Sequence, residues 1–151
     1  MGTLRNGTYR IFALGDGIAP EAAILTSTEQ GLTLTGKGAV PEREQEFRVE
    51  RAEGGHAIQF PARIFPSASL SYKEPQSGER LILGSLSDFP TRTWNIEALL
   101  VETTPEAFAI RVPDADLALG ILPIKKFPQE LGLQTVGTGK PQGWAFEFIG
   151  E

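Results

Sequence analysis

The chain has 151 residues, a net charge of −5 and no cysteine. These values exclude a disulfide framework and thiol chemistry. They also argue against a phosphate-rich partner or an anionic membrane surface, both of which call for a basic face. With His56 as its one histidine, the sequence offers no metal-ligand spacing and no metal is expected.

Seventeen glycines and eleven prolines are spread along the chain, and the apolar runs between them are short and often alternate. That is the pattern of many short strands joined by turns. The first four are expected at Tyr9–Leu14, Ala23–Ser27, Leu32–Thr35 and Phe47–Arg51. Four more are expected at Ala57–Phe60, Ser69–Lys73, Arg80–Leu83 and Trp94–Leu99. The last four are expected at Phe108–Val112, Leu117–Gly120, Gly132–Val136 and Trp144–Phe148. Turn chemistry falls between them at Thr28-Glu29-Gln30-Gly31, Pro75-Gln76-Ser77-Gly78 and Gly137-Thr138-Gly139, each with Gly for positive φ.

Two markers recur. Phe47-Arg48-Val49-Glu50, Trp94-Asn95-Ile96-Glu97 and Trp144-Ala145-Phe146-Glu147 lie 47 and 50 residues apart. Tyr9-Arg10-Ile11, His56-Ala57-Ile58 and Phe108-Ala109-Ile110 lie 47 and 52 apart. Markers that move together define a repeat. Three units of about 48 residues, at 1–52, 53–103 and 104–151, fill a single expected domain. The fold expected is an all-β β-trefoil: twelve strands, six in a barrel and six in three capping hairpins. Residues i and i+2 of a strand share a face. Both members of each marker should therefore point into the barrel, the residue between them outward, and the trailing Glu to solvent or to a loop cap.

His56 occupies a slot held by Tyr9 and Phe108 in the other units, which reads as packing rather than catalysis. No nucleophile elbow, phosphate loop or dinucleotide fingerprint is present, so an enzyme is not expected. Function is left to the connections. Between Phe60-Pro61 and Phe65-Pro66, Arg63-Ile64 forms a proline-bracketed bond suited to a trypsin-like specificity pocket. Lys140 stands on the Gly-rich stretch Gly137–Gly143, and Arg92 in Ser87–Thr93 is a weaker analogue. Gly15-Asp16-Gly17 and Val40-Pro41 are small-residue connections able to approach a narrow cleft.

The segments Asn6-Gly7-Thr8-Tyr9-Arg10-Ile11, Gln45-Glu46-Phe47-Arg48-Val49, His56-Ala57-Ile58, Phe108-Ala109-Ile110-Arg111-Val112-Pro113 and Gly143-Trp144-Ala145-Phe146 resemble the fungal β-trefoil protease inhibitors of the mycocypin and mycospin types. The resemblance spans the chain and rests mostly on scaffold positions. It implies a cytoplasmic, defensive, cofactor-free monomer whose partner is a papain-like or trypsin-like protease, blocked reversibly by surface loops. A mycocypin-like wedge would use Gly15, Asp16, Gly17, Val40 and Pro41. A mycospin-like inhibitor would need one basic residue. The connection between strands 2 and 3 holds none, so Arg63 followed by Ile64, or Lys140, would serve. The alternative is a carbohydrate-binding trefoil lectin. Gln142-Gly143-Trp144 carries the Gln-x-Trp of ricin-type lectins, Gln45-Glu46-Phe47 a weaker form, and Arg92-Thr93-Trp94 lacks the Gln.

Overall fold

The computed structural model describes residues 4–15, 23–28, 31–62, 68–84, 92–99, 107–122, 130–137 and 141–151. Twelve strands run through them: β1 (Gly7–Leu14), β2 (Ile24–Thr28), β3 (Gly31–Thr35), β4 (Phe47–Ala52), β5 (Gly55–Phe60), β6 (Ala68–Ser71), β7 (Ile82–Gly84), β8 (Asn95–Ala98), β9 (Phe108–Arg111), β10 (Leu117–Ile121), β11 (Leu131–Thr135) and β12 (Gly143–Gly150). All twelve lie within a few residues of their expected places.

Six strands close a ring. Strand β1 pairs with β4 and β12, β4 with β5, β8 with β9, and β9 with β12. The last gap, β5 to β8, is closed by the His56–Trp94 bridge, where each backbone N–H donates to the other's carbonyl at 2.9 and 2.8 Å. Among the described residues, closure leaves no barrel strand without a partner on each side. The other six strands form the hairpins β2–β3, β6–β7 and β10–β11.

The repeated markers supply the core. Phe47, Trp94 and Trp144 are completely buried, as are Ile11, Ile58 and Ile110. Each large ring removes about 150–250 Å² from water, an upper-bound transfer gain of about 4–6 kcal/mol. The indole N–H of Trp94 donates to the Leu70 carbonyl and that of Trp144 to the Leu119 carbonyl, both at 3.2 Å. These bonds tie the fourth strand of a unit to its second. Phe47 has no such donor and instead packs on Phe60, ring centroids 5.4 Å apart.

A further repeat lies in the hairpins. Leu32-Thr33-Leu34 and Leu131-Gly132-Leu133 lie in the third strand of their units, and Leu81-Ile82-Leu83 enters that of the second. Opposite them in register, Leu25, Leu70 and Leu119 are fully buried.

Some expectations need correction. Phe146, expected to point into the barrel, is only half-buried; it makes edge-to-face contacts with Tyr9 and Phe108, ring centroids at 5.9 and 5.6 Å. Ala145, expected to point outward from the barrel, is buried. Glu97 and Glu147 are exposed as expected, with Glu147 paired to Arg10 at 2.7 Å, but Glu50 is half-buried against Arg48 at 2.9 Å. The strand expected to end at Lys73 ends at Ser71. The one expected from Arg80 begins at Ile82, and Arg80 bridges Gly132 of the third hairpin instead.

Candidate functional site

The expected binding residues divide between two footings. Leu14 pairs with Gly143, so the connection leaving β1 starts beside the one entering β12. The Gln142 side chain locks this junction, its Nε2 donating to the carbonyls of Leu14 and Gly143. Gly15 follows, exposed, with φ 143°, a conformation that favours glycine. Asp16 and Gly17 lie outside the described residues.

Val40 and Pro41 have a different anchor. Pro41 is exposed and precedes a 3-10 turn at Glu42–Gln45; Val40 is half-buried. The turn packs on β2. Its last residue, Gln45, is buried and donates to the Thr35 hydroxyl at 2.9 Å and the Gly36 carbonyl at 2.8 Å. The two halves of the expected wedge thus adjoin different glutamines, Gln142 just before β12 and Gln45 at the end of the 3-10 turn. Arg63, Ile64 and Lys140 lie outside the described residues; Pro61, two positions before Arg63, follows a cis peptide bond.

The Gln-x-aromatic elements are structural. Gln45 and Gln142 bind backbone carbonyls as described. Arg92, which replaces Gln in the second unit, does likewise: its guanidinium donates to the carbonyls of Tyr72 and Lys73 at 3.3 and 3.2 Å and lies 4.5 Å from the Tyr72 ring centre. Among the described residues no aromatic ring belongs to an exposed residue. The repeat aromatics are spent on the core and present no platform to a ligand.

His56 is buried, and its Nε2 has no partner among the described contacts. Burial lowers its pKa below the ordinary 6.5; a hydrogen bond with the Leu4 backbone opposes this and the Arg51 cation adds to it. A neutral, packed imidazole fits the expected structural role. Among the described residues no cluster of three or more His, Asp or Glu side chains is placed to hold a metal ion.

One region was expected only as a turn, at Pro75–Gly78, and not as a binding loop. Between β6 and β7, all six residues Lys73–Gly78 are exposed, yet their backbone is tied. Arg92 holds the carbonyls at the entry. At the exit, Gly78 N–H donates to the Leu133 carbonyl at 2.7 Å, Leu133 N–H to the Glu79 carbonyl at 2.8 Å, and Leu81 N–H to the Leu131 carbonyl at 3.0 Å. Within the loop, Gln76 N–H donates to the Glu74 carbonyl at 2.9 Å, and the Gln76 side chain to Glu79 at 3.0 Å. The available signal was the polar run Lys73-Glu74-Pro75-Gln76-Ser77 between apolar strands, which marks a loop but not its rigidity.

No protein-family model and no curated protein matches this sequence. Solved structures do. A ricin B-like lectin of Macrolepiota procera, solved with lactose, superposes with a TM-score of 0.72 at 14% identity, covering 99% of this chain and 100% of that one. The designed threefold-symmetric protein ThreeFoil gives 0.68 at 12% identity, covering 95% and 99%. The agglutinin of Rhizoctonia solani gives 0.66 at 13% identity, covering 97% and 98%.

The fold is a β-trefoil. At these identities the likeness speaks for the fold alone. Two of the three trefoils are fungal lectins, and the third reproduces the threefold plan by design.

Proposed function

We propose that this trefoil is a non-enzymatic recognition protein whose ligand is carbohydrate. The observation that supports this most directly is the end-to-end likeness to two natural fungal trefoils described as a lectin and an agglutinin, one of them solved with lactose. Because the repeat aromatics and Gln-x-aromatic elements are committed to packing, sugar contacts would come from the connections between strands. A glycan array, followed by calorimetric titration of any hit, tests this reading. Saturable binding to one glycan class supports it, and a blank array at micromolar protein removes it.

A second reading is reversible protease inhibition by loops, and a specific observation favours it. An exposed loop with an ordered backbone has little conformational freedom left to lose on binding, and Lys73–Gly78 has that form. The resemblance of the scaffold segments to mycocypins and mycospins points the same way. Under this reading the partner is a papain-like or trypsin-like protease, met by a cytoplasmic monomer without cofactor. Residual activity of papain, a legumain-type protease, trypsin, chymotrypsin and subtilisin against rising inhibitor is the test. Papain inhibition that survives Gly15→Trp and Gly17→Trp would remove the wedge, and trypsin inhibition that survives Arg63→Glu and Lys140→Glu would remove those two residues.

A further inference from the structure

We infer that the β6–β7 loop, Lys73 to Gly78, is a protease-contact loop that offers Lys73 to the acidic specificity pocket of a trypsin-like protease while withholding its own peptide bond. The inference rests on the inhibitor reading and assigns it a residue.

Three observations carry it. The loop is exposed over six consecutive residues and bends on itself, Gln76 N–H donating to the Glu74 carbonyl. It is fixed at both ends, by Arg92 at Tyr72–Lys73 and by the β11 backbone at Gly78–Leu81. Pro75 stiffens the middle. Such pre-ordering removes much of the entropy cost of binding. Lys73 is its one cation, and a single buried ammonium–carboxylate contact is what a trypsin-like pocket selects.

The third observation concerns the Lys73 carbonyl. Hydrolysis after Lys73 would require this oxygen to enter the protease's oxyanion hole as charge develops on it. Here the oxygen accepts a hydrogen bond from Arg92, whose guanidinium is itself stacked on buried Tyr72. The side chain is available and the carbonyl is held back. The loop would therefore bind and resist cleavage. Arg92 is a positioning residue in this scheme, acting through the carbonyl it holds.

The test is trypsin inhibition by the full chain, its Lys73→Glu, Lys73→Arg and Arg92→Leu variants, and Arg63→Glu and Lys140→Glu as controls. Lys73→Glu should weaken inhibition by at least about 100-fold, while Lys73→Arg and both controls keep it. Arg92→Leu should turn the loop into a substrate, with the Lys73–Glu74 peptide bond hydrolysed and the new ends visible by mass spectrometry. Undiminished inhibition by Lys73→Glu, with loss in either control, would overturn the assignment to Lys73 and leave the inhibitor reading standing. No inhibition by the unmodified chain would overturn both. Lys73 is exposed, so its variants fold independently of the outcome for Arg92→Leu.

Discussion

The same register position is filled by Thr26 and Thr33 in the first hairpin, by Ser71 and Ile82 in the second, and by Gly120 and Gly132 in the third. One step along each hairpin the residues are leucine pairs, Leu25–Leu34, Leu70–Leu83 and Leu119–Leu133. The inward face obeys the threefold repeat and the outward face does not. In the first hairpin the outward threonines are buried where the 3-10 turn packs on β2, and Thr26 bonds the Thr35 hydroxyl at 2.6 Å. In the third, the missing side chain at Gly132 admits another hairpin: a Cβ there would stand 2.5 Å from the Glu79 carbonyl oxygen. A core with three equivalent sectors is filled best by equivalent residues. Each outer face meets a different connection and is fitted to that alone.

Breaking the shared inward layer should cost most. Trp94→Ala or Trp144→Ala removes a fully buried ring and its indole hydrogen bond. Each should lower stability by about 3–5 kcal/mol, read from chemical unfolding. A loss under 1 kcal/mol would mean that the barrel does not depend on that ring.

The outward faces should respond more modestly and differently. Gly132→Ala sets its new methyl against backbone as well as the Leu122 side chain. It should cost about 1–3 kcal/mol and speed hydrogen exchange at the Gly78 and Leu81 amides, which the β11 carbonyls hold. If those amides kept their protection, the seam between the second and third hairpins would not depend on glycine. Gln45→Leu severs the ties to Thr35 and Gly36. A loss of about 1–2 kcal/mol is expected, without faster exchange at Gly78.

The smallest effect concerns the odd member of an inward triplet, His56 against Tyr9 and Phe108. Its folded pKa lies below the ordinary 6.5. The unfolded chain therefore binds more protons as the solution acidifies through that value. The contribution of His56 is complete above about pH 6.5 and declines as pH falls towards the folded pKa. His56→Phe should flatten this part of the stability–pH curve. An unchanged slope between pH 7.5 and 5 would place the acid sensitivity elsewhere.

The markers at Phe47, Trp94 and Trp144 made the fold legible because a barrel core imposes the same demand three times, and a demand repeated along a chain leaves a period. The Leu-x-Leu pattern carried the same information. Candidate binding residues were legible only as loop chemistry. Gly15 and Pro41 were read as parts of one wedge; the structure adds that Gln142 ties the Leu14 carbonyl beside the first and that Gln45 ends the 3-10 turn following the second. Lys73 read as the end of a strand. It lies two residues beyond the end of β6, where Arg92, nineteen positions away, takes its carbonyl.

By itself, then, the sequence determined the strand count, the threefold plan and the identity of the core rings, all of which follow from alternation and spacing within one unit. Tertiary structure decided which connections share a footing, which loop is held rigid and which glycine admits a neighbour. Those outcomes depend on hydrogen bonds between units, such as Gly78 to Leu133, whose partners lie far apart in the chain and follow no common period.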